Sequence, residues 1–157
     1  MKSRASLIDR LVDEHPETER EAIPLRTLNK DQLRASIRRD LEWLLNTRTP
    51  IPASQFDRKE LTVLDYGVPD FSSYTTTSAT DQQRLARRLK RAISAFEPRL
   101  QDIRINVNPV IVNEKTLRVV IEVVIRAVVA VDTMREAVSF STVLHAKSGT
   151  GRVYERK

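Results

Sequence analysis

The chain has 157 residues, 40% of them hydrophobic, which suffices for one core and leaves little for a second independent one. It contains no cysteine, so disulfides, thiolate metal sites and cysteine nucleophiles are excluded. A formal charge of +6, from 27 Lys and Arg against 21 Asp and Glu, suits nucleic acid, an acidic protein or no partner at all, without choosing among them.

At the N-terminus, Lys2, Arg4, Asp9 and Arg10 interrupt what would have to be the apolar core of a secretory signal, so no such signal is expected. Leu7, Ile8, Leu11 and Val12 recur at helical spacing over 6–14, with Ser6 as N-cap, Asp9 three residues on and Pro16 closing the segment. So short a helix does not hold in isolation and must dock on its own domain or on a partner. From His15 to Leu28 the chain is acidic, broken by Pro16 and Pro24, and reads as a connecting loop.

A second helix starts at Asn29, where Gln32 completes a capping-box variant, and buries a stripe of Leu33, Ile37, Leu41, Leu44 and Leu45. Asn46 ends it, Thr47 to Pro52 is too rich in proline to continue, and Arg48 is placed to meet the negative end of the helix dipole. Leu61 to Phe71 lacks helical spacing, and Gly67 and Pro69 dictate a turn within a packed, ordered loop. After a hydroxyl-rich lead-in, Thr80 and Gln83 predict the start of a third helix, with Leu85, Leu89, Ala92, Ile93 and Phe96 inside and Arg84, Arg87, Arg88, Lys90 and Arg91 outside.

That helix meets Phe96-Glu97-Pro98-Arg99-Leu100. Proline cannot extend a helix and pushes the preceding residue out of the α region, so Glu97 lies at a forced corner with Arg99 just past it. Such a corner can present a carboxylate and a guanidinium to a partner, or pin one turn through a local ion pair.

Beyond the corner the apolar period switches to two. Ile103, Ile105 and Val107 make a strand that Pro109 ends or marks as an edge. The odd positions from Leu117 to Val131 are all apolar, Asp132-Thr133 is a workable turn, and Met134 to Leu144 returns with Val138, Phe140, Thr142 and Leu144 on one face. Strands usually run to about five or six residues, so part of this hairpin is expected to overhang its own core. Gly149 and Gly151 break the chain before Val153, Tyr154 and Glu155, which can add as a strand to a neighbouring subunit or stay loose. Lys147, Arg152, Arg156 and Lys157 make this tail a second basic surface.

The expected fold is therefore α+β, about three helices with a small antiparallel sheet containing a long C-terminal hairpin, in one domain over 1–157. Residues 1–28 form its N-terminal helix and loop, and 146–157 a flexible basic tail. No segment has the roughly 20 apolar residues needed to span a bilayer, since Glu122, Arg126 and Asp132 interrupt the longest run.

Chemistry is mostly excluded. A glycosidase needs two carboxylates across the scissile bond with one held protonated, and Arg99 beside Glu97 favours the ionised form. Asp65, Asp70 or Asp102 serves as a second carboxylate only by assumption. There is no G-x-S-x-G, neither His15 nor His145 has an evident partner, no ligand spacing points to a metal, and Gly149-Thr150-Gly151 has no following helix to form a phosphate site. No catalytic, metal or cofactor residues are assigned. The arginine-rich helix keeps a nucleic-acid-binding module open, although only 5% of residues are aromatic and Phe96, Phe140 and Trp43 sit at structural positions.

Four blocks in order, Ser6 to Leu11, Ser36 to Arg48, Tyr66-Gly67-Val68-Pro69-Asp70 and Phe96-Glu97-Pro98-Arg99-Leu100, resemble the TssE family of type VI secretion baseplate subunits. That family is similar to phage baseplate wedge proteins sometimes labelled lysozyme-like. The resemblance covers about residues 5–145, with one departure at Asp65, where a more neutral residue is expected. It implies a non-enzymatic structural adaptor of the bacterial cytoplasm, in a baseplate docked at the inner-membrane complex. It would join TssF and TssG in a wedge beneath the TssB and TssC sheath and help initiate sheath assembly, with no nucleic acid bound and no direct membrane insertion. By the resemblance, Glu97, Pro98 and Arg99 contact the wedge core, and Tyr66 and Asp70 are partner-contact candidates from their own block. Arg84, Arg87, Arg88 and Arg91 are added, from charge alone, as a seat for an acidic partner. The alternatives are the nucleic-acid module and a peptidoglycan glycosidase.

Overall fold

A computed structural model describes residues 3–11, 17, 27–75, 77–113, 118–132, 134–144 and 151–156. The expectations for the acidic loop near His15 and Pro24, for His145 and for Lys147 lie outside the described residues. The chain groups into two compact units, Met1–Ile37 and Arg38–Lys157.

In the first unit, β1 (Ser3–Arg4) pairs antiparallel with β2 (Thr27–Leu28), a ribbon too short to be read from the sequence. Between them lies α1 (Leu7–Leu11). Ser6 caps it as expected: its Oγ accepts from the Asp9 amide at 3.2 Å and donates to Asp9 Oδ2 at 2.7 Å. Asp9 Oδ2 also accepts from Ser36 Oγ at 2.9 Å. The apolar face of α1 stays bare, with Leu7 and Leu11 67% and 73% exposed.

Helix α2 (Lys30–Asn46) runs from the first unit into the second. Its capping box forms as read: the Asn29 amide donates to Gln32 Oε1 and the Gln32 amide to Asn29 Oδ1, both at 2.9 Å. All five residues of its apolar stripe are at most 2% exposed. Trp43, expected to be structural, is instead exposed on the outer face, where the Arg39 guanidinium stacks 4.9 Å from its ring.

In the second unit a short helix, α3 (Ala53–Phe56), follows the prolines, with Phe56 fully buried. Helix α4 (Ala79–Phe96) begins two residues earlier than expected. Its N-cap is Ser78, whose Oγ accepts from the Asp81 amide at 3.3 Å, and not Thr80. The carboxylate of Asp81 accepts from the Thr75 amide at 3.0 Å, so the residue in the first turn that faces back is an acid, well placed against the helix dipole.

The sheet has four antiparallel strands in the order β3 (Leu100–Asn113), β4 (Arg118–Val131), β5 (Met134–Leu144) and β6 (Val153–Glu155). Helix α4 packs on β3 through Leu85, Leu89, Ala92 and Ile93, all buried. The inner face of the sheet contributes Ile103, Val123, Ile125, Val129, Phe140 and Leu144, and Phe140 is completely enclosed. The first strand reaches beyond Pro109, which sits within β3. Proline is tolerated there because β3 is an edge strand, as the sequence allowed. The β4 strand is central and paired with β3 from Arg118 to Val129, so its length is matched by β3 and does not hang free.

The tail departs most from expectation. Val153 to Glu155 neither stay loose nor wait for a neighbour: they pair with Phe140, Ser141 and Thr142 of β5 in their own sheet. Asn46 Nδ2 donates to the Gly151 carbonyl and Asn46 Oδ1 accepts from the Gly151 amide, both at 2.9 Å, while the Val153 amide donates to Glu42 at 3.1 Å. A side chain at 151 would meet the Val143 carbonyl at 2.3 Å, which is why glycine occupies the entry to β6.

Candidate functional site

The forced corner forms. Glu97 has φ −127° and ψ 74°, outside the α region, its amide closes the last turn of α4 on the Ile93 carbonyl at 2.8 Å, and β3 begins three residues later. Pro98 is exposed, but the two charged neighbours are not presented to solvent as a bare pair. Glu97 is 3% exposed. Arg99 Nε donates to Glu97 Oε1 at 2.6 Å and its Nη2 to Glu97 Oε2 at 2.5 Å, a two-pronged pair. The same Nη2 lies 2.6 Å from Asp40 Oδ2 on α2. Burial alone would lower the Arg99 pKa, but the bonds and charges of Glu97 and Asp40 overcome it and raise the pKa, so this guanidinium stays charged at any accessible pH.

Of the two readings of these residues, the geometry favours the pin. Removing water from two carboxylates and a guanidinium is costly, and only their mutual bonds offset it. Asp40, which the sequence reading missed, completes the cluster. Its signal was available: position 40 lies three residues from Ile37 and one from Leu41 in an otherwise apolar stripe, where an acid needs a partner. The other oxygen of Asp40 accepts from Arg39, at 3.1 Å from Nε and 2.9 Å from Nη2.

Tyr66 leans on the same corner. Its ring meets Phe96 edge-on, 5.2 Å between centroids, and burial first, then the charges of Asp40 and Glu97, push its hydroxyl pKa upward. The next residue, Gly67, has φ +119°, and any Cβ there would lie 2.7 Å from the Thr47 carbonyl. This close approach lets Val68 and Thr47 to Thr49 join as a short parallel bridge, with bonds of 2.9 and 3.1 Å. Arg48 donates to the Leu45 carbonyl at 3.2 Å, at the helix end as expected, and stacks on Phe71 at 4.6 Å. Burial lowers its pKa and the charge of Asp70 opposes this. Hydrogen bonds from Ser72 hold Asp70 below the usual carboxylate range, and Asp70 is exposed.

The loop is ordered by Asp65. It is 2% exposed, and its carboxylate accepts from Lys59 Nζ at 2.8 Å and from the Thr62 amide and hydroxyl, each at 2.9 Å. These bonds, Lys59 first, bring its pKa down to about 2. Asp65 is thus a structural anchor and not a spare acid. It leaves Val63 and Leu64 bare, 84% and 81% exposed.

The arginines of α4 divide. Arg84 and Arg87 are exposed, Arg84 lying 3.7 Å from Asp81. Arg88 does not face solvent freely: it pairs with Asp57 at 2.7 Å and bonds Tyr74 Oη, and its contact lowers the Asp57 pKa. Arg91 donates to the carbonyls of Phe56 at 2.8 Å and Lys59 at 2.5 Å. Two of the four candidate arginines therefore lash α3 to α4. The expectation that all lie outside is corrected by helical phase, since 88 and 91 flank the buried Leu89 and Ala92. Among the described residues no three His, Cys, Asp or Glu side chains gather as a metal site. No described helix is long and apolar enough to cross a membrane.

The structure thus brings together Glu97, Arg99 and Tyr66 with Asp40, keeps Arg48 and Asp70 near Phe71, and leaves Arg84 and Arg87 apart on the α4 surface. No curated protein matches the sequence. A solved chain described as "The baseplate complex from the type VI secretion system" is similar in fold, with a TM-score of 0.50 and 17% identity, over 73% of this chain and 96% of that one. The family model described as baseplate wedge protein gp25 matches residues 31–129, which hold α2, the Gly67 loop, the Glu97 corner and most of the sheet. The chain belongs to the baseplate wedge protein gp25 family.

Proposed function

We propose that this protein is a non-catalytic structural subunit of a type VI secretion baseplate wedge. It acts as one domain over 1–157 in the cytoplasm, in a baseplate docked at the inner-membrane complex. It joins TssF and TssG and carries the first ring of the TssB and TssC sheath. The observation that carries the reading is that the family match spans the cluster of Asp40, Tyr66, Glu97 and Arg99, and that the charges of this cluster are spent on one another. A general acid must be free to hold and release a proton, and Glu97 is clamped by a permanent cation. What such a cluster supplies is a fixed angle between α2, α4 and β3, with Pro98 exposed at its tip.

In this reading Glu97 and Arg99 act by holding the corner, and Pro98 with the exposed Asp70 meets the wedge core. The arginine-helix route to nucleic acid loses support because Arg88 and Arg91 are spent on α3. The test is complementation in cells carrying a fluorescent sheath subunit and lacking this protein. Restoration of sheath assembly by the wild type, and its loss with Arg99→Ala, is expected. Normal sheath assembly in cells without the protein would overturn the reading.

A further inference from the structure

The outer face of the sheet carries a charge arrangement that the wedge reading does not use. Arg104 on β3 is registered directly opposite Arg126 on β4, and Arg126 opposite Ser139 on β5. The Arg156 amide donates to the Ser139 carbonyl at 2.7 Å, which sets Arg156 beyond Ser139 in the same row. Three arginines thus lie in one line across the sheet, on β3, on β4 and one residue past β6, with Ser139 of β5 between the last two. Like charges directly opposite on adjacent strands destabilise a sheet, so the Arg104 and Arg126 pair is a local cost with no return inside the described residues. Both are exposed, and neither has a carboxylate partner there. A carboxylate on the same sheet, Glu122, lies 3.8 Å from Arg156.

Between Arg126 and Arg156 the face dips into a recess of about 560 Å³ whose floor includes Ala137 and Ser139. Small side chains leave the guanidinium groups standing at its edges. Adjacent strands lie about 4.8 Å apart, so the two walls are separated by roughly twice that, room for a carboxylate to enter and bond both.

We propose that this outer face is a docking surface for an acidic polypeptide segment of a neighbouring baseplate subunit. Charge complementarity names the occupant: a segment with two or more carboxylates neutralises the row and relieves the Arg104 and Arg126 repulsion, which no apolar partner does. This inference rests on the wedge reading, because it takes the partner from the same assembly.

The test uses the full chain co-expressed with wedge subunits. The variant Arg104→Lys/Arg126→Lys keeps the charge and supplies amines, so a zero-length carbodiimide cross-linker joins them to carboxylates in contact, and mass spectrometry reads the partner peptide. Cross-links from positions 104 and 126 to Asp or Glu of another subunit are expected. The variant Arg104→Glu/Arg126→Glu should lower affinity for the complex about tenfold or more, with the loss shrinking as salt rises, while Arg58→Glu, at an exposed arginine away from the row, retains it. An intact complex with no such cross-links overturns the docking face and leaves the wedge reading standing. Cross-links only to the chain's own acidic residues, or arginine-dependent co-purification of nucleic acid, also overturn it. If the wild type assembles with no subunit, the wedge reading falls and this inference with it.

Discussion

Arg99 is the residue on which the corner depends. Arg99→Ala would leave Glu97, 3% exposed, facing Asp40 with no cation between them. Breaking a buried pair from one side costs about 3 to 5 kcal/mol, so a fall of that order in unfolding free energy by urea denaturation is expected. Replacing both charges together, Glu97→Gln with Arg99→Met, should cost clearly less, because no buried charge is stranded. Equal losses in the two variants would mean that the ion pair holds nothing in place.

Asp65 gives a prediction in pH. Its pKa is depressed to about 2 in the folded chain against about 3.9 unfolded, so its stabilising share is complete above the unfolded value and is lost as pH falls through the folded one. The wild type should therefore lose stability between about pH 4 and pH 2 more steeply than Asp65→Asn, which should be the weaker protein at pH 7. Parallel denaturation midpoints for the two across that range would contradict the role given to Asp65. The sequence exposed Asp65 as a departure without showing its purpose. Its partners Lys59 and Thr62 are close in sequence, but only the turn at Val63–Asp65 aims all three groups at one point.

At the scale of elements, the Gly67 loop and β6 each rest on a glycine. Gly67→Ala should cost more than about 1 kcal/mol, since φ +119° is strained for alanine and the added carbon overlaps the Thr47 carbonyl. Removing 151–157 should do more than trim a tail. It strips β6 from β5, uncovers a strand edge and deletes Val153, which is fully buried. Lower stability and concentration-dependent self-association, read by light scattering, are expected from the exposed edge. A monomeric truncated protein of unchanged stability would contradict that role.

The helices were legible because their caps and stripes are local: Ser6 with Asp9, Asn29 with Gln32, and the apolar spacing from Leu33 to Leu45 needed nothing from distant chain. The inner faces of β4 and β5 were legible for the same reason, by alternation. What escaped was long-range. Three residues at Val153–Glu155 carry no signal of which edge they join, and β1 with β2 is shorter still. Arg88 and Arg91 looked like solvated charge until α3, itself only four residues, supplied the Phe56 carbonyl and its C-cap supplied Asp57. The corner at Glu97 was placed correctly by Pro98, while its third member, Asp40, stands 59 residues from Arg99.

At the scale of the whole molecule, buried charge is used for shape. Glu97, Arg99 and Asp40 fix one junction, Asp65 and Lys59 another, and Arg88 with Asp57 a third, and each is satisfied within the second unit. What is left exposed is suited to contact: Pro98 at the corner, Val63 and Leu64 on the anchored loop, and the arginine row across the sheet. Under the proposed wedge role, a protein so arranged would hold other subunits at set angles. The most direct test is co-expression of the tagged chain with TssF and TssG, followed by size-exclusion chromatography and mass spectrometry of the eluted species. A discrete complex of fixed stoichiometry, reduced by Arg99→Ala, is the predicted result. A chain that elutes alone beside an assembled pair of partners would contradict the claim that it is a structural member of the wedge.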